Sequence, residues 1–445
     1  MAAHLNTMTS PSLLSGLCEA NAFNGRKQGG LEIMLTRKIA ACLFLCLLLI
    51  VGSVHNSYAD SAEVLPKGIS RGDVEYSYYF PIDEKFDPDG NVEDIAKDYN
   101  TSMNSNLFPA LKQLEAGFGM QDGSASLGDS VVDFKYNVNE VNLKFFYGLT
   151  DKLSIGVKIP YLWYKNEVSA GVNTVNATLG FNPFFGRPAD PFGVPLIPVQ
   201  FGGVKNDSLA TELVQDTLVQ DYGFKRIASW SDQGIGDIEV GGRYQYLKIN
   251  NWRLAFTGAV RLPTGKVDDP DNLVDLGFGS GAWALLFRSN NDFTGFENMI
   301  LNATLEYDLV LPDKETLRVP NDVNNPITSN KEEVSRDLGD IYKLKLSGAY
   351  ALPMGFGFHL FYAYAGQLKD SVSGNQGFAY QSLEDETDWT YQEYKIGLSY
   401  STIPLYKEKK FPLPLVFGVE YEDVFAGTNN FLKQRLLTFS LSAFF

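Results

Sequence analysis

The last nine residues alternate in chemistry: Leu437, Phe439, Leu441, Ala443 and Phe445 are apolar, and Thr438, Ser440 and Ser442 between them are small and polar. Successive side chains of a strand point to opposite faces, so this segment has one greasy face and one wettable face. A single strand of this kind would lie over any soluble core. Repeated along a chain that carries an export signal, it describes a barrel whose outside meets lipid and whose inside meets water.

The export signal is legible near the start. Arg37 and Lys38 precede an apolar run from Ile39 to Val54, and Ser57-Tyr58-Ala59 forms a small-residue cleavage site before Asp60. Basic, apolar and small-residue segments in that order read as a cleaved secretory signal. The run has 16 residues, short of the roughly 20 that a spanning helix needs. Met34 stands where such a signal begins, so residues 1–33 read as an over-extended, disordered start. The expected division is therefore 1–33, a signal peptide over 34–59, and an outer-membrane barrel over 60–445. Cys18, Cys42 and Cys46 all precede the cut, which leaves the mature chain without disulfides or thiolate chemistry.

Composition narrows the class further. The net charge of −16 argues against nucleic-acid binding, which needs clustered Lys and Arg to neutralise phosphates. Aromatic residues make up 13% of the chain, and beyond the signal no apolar stretch approaches spanning length. Interleaved apolar and polar residues with many aromatics fit a transmembrane β-barrel or a large all-β soluble protein, and the length, the export signal and the terminal Phe445 favour a barrel in the outer membrane of a Gram-negative cell.

The two-face pattern recurs about twelve times. Val74, Tyr76, Tyr78 and Phe80 share a face, as do Val141, Leu143, Phe145 and Tyr147 opposite Asn142 and Lys144. A short connection leads to Leu153, Ile155, Val157, Ile159, Tyr161 and Trp163, opposite Lys158. Further strands follow near 237–247, 252–262, 276–288, 301–309, 342–350, 356–364, 394–400, 415–422 and the C-terminus. Twelve is an even number, as bacterial single-chain barrels require. An extra pair hidden in 81–130 or 165–233 would make fourteen. Short connections are expected after Tyr147, Tyr246, Arg288 and Tyr350. Long ones are expected over 81–130, 165–233, 312–337 and 367–388. Short turns on one rim and long loops on the other is the outer-membrane arrangement. Residues 401–412 are long for an inner turn, and the loop near Ala426 is short for an outer one.

Charges collect on the faces opposite the apolar ones: Lys144, Lys158, Asp237, Glu239, Arg243, Arg253, Arg261, Glu306, Asp308, Lys343 and Lys345, with His359 among small residues. Such a set lines either a polar conduit or an ion-pair network filling a narrow barrel, where pairing avoids uncompensated buried charge. The loop over 178–204 carries Phe181, Phe184, Phe185, Phe192 and Phe201 with several prolines. It forms either an inward hatch for hydrophobic solute or a self-packed surface loop, capped by a helix near Asp207–Tyr222. Asp268, Asp269, Asp271 and Asp275 do not complete a calcium-loop pattern, and they read as a solvated acidic loop. His359, the only histidine of the mature chain, has no nominated serine or orienting partner, so no enzyme and no cofactor is expected.

Gly234-Ile235-Gly236-Asp237-Ile238-Glu239-Val240-Gly241-Gly242-Arg243-Tyr244 is followed by Arg261-Leu262-Pro263-Thr264-Gly265. With the hairpin at Phe146–Leu153 and Ile159-Pro160-Tyr161, these residues resemble outer-membrane barrels of the meta-pathway of phenol degradation family. More loosely they resemble channels for hydrophobic and aromatic compounds. The resemblance covers about 140–290. It implies passive passage of small, hydrophobic or aromatic molecules without fixing one. The rival expectation is a structural or surface-interaction barrel with a plugged lumen and no transport role. Expected partners are outer-membrane lipid, lipopolysaccharide and a small solute; oligomeric state is not legible.

Overall fold

A computed structural model of the protein describes residues 61–323 and 326–445. The over-extended start and the signal segment lie outside the described residues. Twelve long strands close into an antiparallel barrel: β1 Ser70–Tyr79, β2 Ser126–Thr150, β3 Leu153–Asn173, β4 Ile238–Ile249, β5 Trp252–Leu262, β6 Ala284–Phe296, β7 Met299–Val310, β8 Ile341–Ala351, β9 Phe356–Gln367, β10 Trp389–Ser401, β11 Leu415–Gly427 and β12 Arg435–Phe444. Each pairs with its sequence neighbours, and β1 pairs with β12 in register Val74↔Leu441. Closure removes the free edges that would otherwise need partners in a bilayer. Among the described residues no helix is long and apolar enough to cross a membrane.

Two-residue turns join β2 to β3, β4 to β5 and β6 to β7 on one end, here the turn rim. Asn250 and Asn298 take left-handed conformations there, with φ of 48° and 57°, which asparagine tolerates better than most residues. The opposite, loop rim carries the long connections after β1, β3, β5, β7 and β9. Two expected boundaries shift. The turn placed after Arg288 lies at Glu297-Asn298, and the strand placed over 276–288 begins only at Ala284. Ser289-Asn290-Asn291-Asp292 reads as turn chemistry in sequence. In the barrel Asn290 and Asp292 are fully buried in the lumen. The β10–β11 connection on the turn rim is long because it holds a short helix, Ile403–Lys407.

Hairpin β2–β3 also overruns expectation. A strand needs about 10 residues to span the hydrocarbon, yet β2 has 25 and β3 has 21. The excess projects on the order of 40 Å beyond the barrel wall at about 3.3 Å per residue. Short strands Ser102–Asn104 and Trp230–Ile235 pair along its edges. The helix Asp207–Gln220, N-capped by Asn206, packs beside it, with Thr211 accepting from the Val172 amide at 2.9 Å.

The outward faces form an apolar belt. Val74, Ile155, Val240, Leu305, Leu344, Ile396, Leu398 and Val419 are all exposed. Tyr147, Trp252, Phe296, Phe356 and Phe445 ring the turn rim, and Trp163, Tyr307 and Phe425 sit toward the loop rim. Exposed apolar side chains bounded by two aromatic girdles are the surface that a bilayer demands. A protein facing water would bury them.

Candidate functional site: the lumen and its mouths

Three layers occupy the barrel interior, and each draws on elements far apart in sequence. At the turn rim the chain from Ser61 to Gly68 enters the lumen. The Ser61 hydroxyl donates to Asp292 at 2.7 Å and the Ala62 amide to the same carboxylate at 3.0 Å. Arg243 donates to the Ser61 carbonyl at 2.5 Å and Gln245 to the Ala62 carbonyl at 2.8 Å. Arg253 bridges Glu63 and Asp292. Ser61 and Ala62 are almost wholly buried. Arg243 and Arg253 thus hold a peptide plug at the mouth. That use is invisible in an alternating pattern, because the plug itself has none.

The middle layer is a girdle of ion pairs. Glu306 meets Lys343 at 3.0 Å, Lys345 at 2.6 Å and Arg288 at 3.0 Å. Asp308 meets Arg261 at 3.0 Å and Lys343 at 3.5 Å. Arg261 and Arg288 also reach Glu239, at 3.4 and 3.6 Å. Lys158 lies across the strand pair from both Glu239 and Lys144, and Lys144 meets Glu75 at 2.6 Å. On the opposite wall Lys395 meets Glu422 at 2.6 Å, and His359 Nε2 meets Glu420 at 2.5 Å. His359 is therefore matched with a carboxylate across Gly397, whose absent Cβ would stand 2.0 Å from the imidazole.

The charges nominated from sequence thus face one lumen, with one exception. Asp237 sits at the loop rim just ahead of β4, 1% exposed. It accepts from the Gly265 amide at 2.9 Å and the Ser280 amide at 3.0 Å, while Thr264 donates to the Gly236 carbonyl at 2.8 Å. The Gly-Ile-Gly-Asp and Pro-Thr-Gly segments are thus halves of a clasp. Partners that sequence reasoning passed over include Asp73, Glu75, Glu140, Arg288, Asp292 and Glu393; Lys395, Glu420 and Glu422 fall on inward faces by their alternation but were not nominated. The strict two-residue period from Lys395 and Glu420 onward could have found several of them.

What the clasp holds is the third layer. The β5–β6 connection folds inward, burying Val274, Leu276 and Phe278 against Leu162, Tyr164, Phe134, Tyr136 and Val138. Phe278 stacks on Tyr164 with centroids 4.7 Å apart. Two of the acidic residues of this loop are paired: Asp269 meets Lys225 at 2.6 Å, and Asp271 meets Arg318 at 2.6 Å and Lys331 at 2.5 Å, while Asp275 accepts from the Asp269 amide at 2.7 Å. No group of three or more potential metal ligands occurs among the described residues. The loop considered as a hatch, 178–204, is packed elsewhere. Phe192 and Phe201 contact Phe118 of the helix Lys112–Phe118, Phe181 packs against a separate core that includes Leu127, Val172, Leu179 and Leu196, and Phe184 and Phe185 are exposed.

Above the inward loop lies a vestibule of about 230 Å³, lined by Tyr99, Phe134, Tyr136, Phe224, Trp389 and Phe431 among others. A smaller apolar cavity of about 70 Å³ adjoins it, sharing Tyr99, Leu273 and Ile327.

No family model matches this chain. No curated protein matches it either. Solved structures do resemble it. An outer membrane channel from Pseudomonas putida F1 aligns over 88% of this chain and 100% of its own, at 13% identity and a TM-score of 0.49. The CymD monoaromatic hydrocarbon channel aligns over 86% of this chain and 89% of its own, at 11% and 0.33. A FadL homologue from Pseudomonas aeruginosa aligns over 85% and 90%, at 11% and 0.32. At such identities no site residue is carried across.

Proposed function

We propose that the protein is an outer-membrane channel for passive passage of small, hydrophobic or aromatic solutes. The observation that carries this reading is the polarity gradient inside a closed barrel. An aromatic vestibule opens at the loop rim, an apolar inward loop lies beneath it, and a paired-charge girdle follows before the turn rim. Aromatic and aliphatic walls collect an apolar solute from water, because burying its surface is favourable at roughly 25 cal/mol per Å². The girdle keeps its charges matched, so a neutral solute passes without stripping a lone ion of its partner. Half-buried ends of Glu75, Lys144, Arg288, Lys345, Lys395 and Glu420 leave the girdle polar along its axis.

In this reading the turn rim faces the periplasm, the projecting β2–β3 hairpin faces outward among lipopolysaccharide, and a cleaved signal delivers the chain. The seat of Ser61 and Ala62 favours the rival reading, a plugged barrel with no transport role. Reconstituted liposomes separate the two. Uptake of benzyl alcohol or toluene faster than in protein-free vesicles supports the channel. Equal rates, with residues 61–67 present or deleted, sink it. Outer-membrane fractionation with heat-modifiable gel mobility tests the location.

A further inference from the structure

The β10–β11 connection, residues 402–414, is far longer than the two-residue turns that share the turn rim with it. Hydrogen bonds keep it down on that rim. The Thr402 amide donates to the Leu415 carbonyl and the Leu415 amide to the Thr402 hydroxyl, both at 2.8 Å. That hydroxyl in turn donates to the Leu413 carbonyl at 2.7 Å. The Phe444 amide donates to the Pro414 carbonyl at 3.2 Å, which holds the returning segment against the end of β12. The helix Ile403–Lys407 turns back where the Lys410 amide donates to the Leu405 carbonyl at 2.8 Å.

The surface so formed sets two chemistries side by side. Tyr406, Phe411 and Leu413 are exposed, and on the adjoining rim Met354 and Phe445 are 82% and 71% exposed. Leu413 precedes Leu415 and the outward Phe417 at two-residue spacing, so the patch continues the lipid-facing belt. Apolar side chains in that position suit acyl chains better than water. In the same connection Lys407, Lys409 and Lys410 are exposed, and Glu408 is the one acid. Glu408 meets Lys410 at 2.8 Å, while neither Lys407 nor Lys409 forms an ion pair among the described residues. A chain of net charge −16 thus places a surplus of two positive charges at the edge of its bilayer surface. Aromatic and aliphatic side chains beside lysines, whose stems lie along apolar surface, make an interfacial anchor. Its surplus charge is matched by a headgroup of opposite sign.

We infer that residues 402–414 form a docking surface for anionic phospholipid in the leaflet around the turn rim. Lys407 and Lys409 hold the headgroup, and Phe411 and Leu413 pack on the acyl chains. The attraction of one lysine to an anionic lipid surface is worth about fivefold in affinity, and a zwitterionic lipid offers the same chains without that gain. The inference is independent of solute passage. It takes from the proposed function only the orientation, with the turn rim in the periplasmic leaflet, which is built of phospholipid rather than lipopolysaccharide.

The test is lipid retention by the purified full chain. Protein in detergent at low ionic strength is mixed with equal amounts of phosphatidylglycerol, phosphatidylcholine and lipid A, passed through a sizing column, and its retained lipid quantified by mass spectrometry. Phosphatidylglycerol should exceed phosphatidylcholine by about fivefold or more, and the excess should shrink at high salt, which screens exposed charges. The triple variant Lys407→Gln, Lys409→Gln, Lys410→Gln should bring phosphatidylglycerol down to the phosphatidylcholine level and leave the latter unchanged. A control variant, Lys67→Gln with Lys152→Gln beside Asp151 on the same rim, should keep the preference. Heat-modifiable gel mobility reports that each variant is folded. Equal retention of the two phospholipids by wild type overturns the inference. So does a preference that the triple variant keeps, or one that the control loses to the same extent. Loss of lipid A in place of phosphatidylglycerol overturns the choice of lipid and the orientation while leaving passage untouched. A dimer that the triple variant dissolves, with retained lipid unchanged, gives the surface to a second copy and overturns the inference.

Discussion

Glu306 holds three cations at once, and its own carboxylate is 4% exposed. Replacing it by Gln leaves Lys343, Lys345 and Arg288 facing one another with less opposing charge. Breaking a buried ion pair from one side costs about 3–5 kcal/mol, because the remaining charge stays desolvated. Glu306→Gln should therefore lower the urea midpoint in lipid vesicles by a shift of that size and tilt single-channel ion preference toward anions. An unchanged midpoint would mean that water reaches the girdle freely. Asp370 gives a second residue-scale expectation. It lies in the β9–β10 connection, accepts from the Gly339 amide at 2.7 Å and from Gln367 at 3.0 Å, and burial pushes its pKa up to about 6. A carboxyl whose folded pKa exceeds its unfolded one binds more protons when folded, so stability falls as pH rises from about 4 through about 6 and is level above. Wild type should lose ground to Asp370→Asn across that window when thermal midpoints are compared at pH 5 and pH 7. Parallel midpoints would remove the group from the balance.

At the scale of elements, two segments without strand periodicity decide what fills the barrel. The inward β5–β6 connection depends on backbone approach. A Cβ on Gly279 would stand 2.2 Å from Asp237 Oδ1, and one on Gly265 would stand 2.7 Å from Gly279 Cα. Gly279→Ala should break the clasp, accelerate proteolysis within 266–280 and raise toluene flux while the barrel keeps its heat-modifiable mobility. Phe278→Ala tests the same loop from its apolar side. Its loss should cost about 3 kcal/mol in urea unfolding followed by near-ultraviolet dichroism. The second segment is Ser61–Lys67. Deleting it while retaining the export signal should raise single-channel conductance, since Arg243, Arg253 and Asp292 then line an opened mouth. Unchanged conductance would show that the restriction lies in the girdle. Neither segment was legible as a plug. The first reads as an acidic surface loop leading into a Gly-rich strand, and its value appears only when Asp237 meets Gly265 and Ser280. The aromatic loop 178–204 has the stronger hydrophobic signal, yet it packs on Phe118 and on the core around Val172 and Leu179.

For the whole molecule, the belt and the lumen are two faces of one sheet, so the same substitution has opposite consequences on each. Leu305, near the middle of β7 and 60% exposed, faces outward beside inward Glu306. Leu305→Lys should cost about 2–4 kcal/mol in lipid vesicles if it lies near the midplane, and much less in detergent micelles that flex around the charge. Equal costs in the two would place Leu305 outside the hydrocarbon. This two-sidedness is what the sequence determined by itself. A period of two is a local property, set by the pleat of each strand, so the alternation at Leu437–Phe445 and in the strands before it reveals the two faces and the inward placement of Lys144, Arg261, Glu306 and Lys343 without any tertiary knowledge, while the choice between twelve and fourteen strands was settled by closure. Tertiary structure alone decided which charge meets which, that the polar run Ser289–Asp292 continues β6 in the barrel wall instead of turning, and which segments plug the ends. Those outcomes rest on contacts between residues far apart in the chain, such as Ser61 with Asp292 and Tyr164 with Phe278. Their energies depend on burial and on the partner across the barrel, and neither is written into the residues on either side.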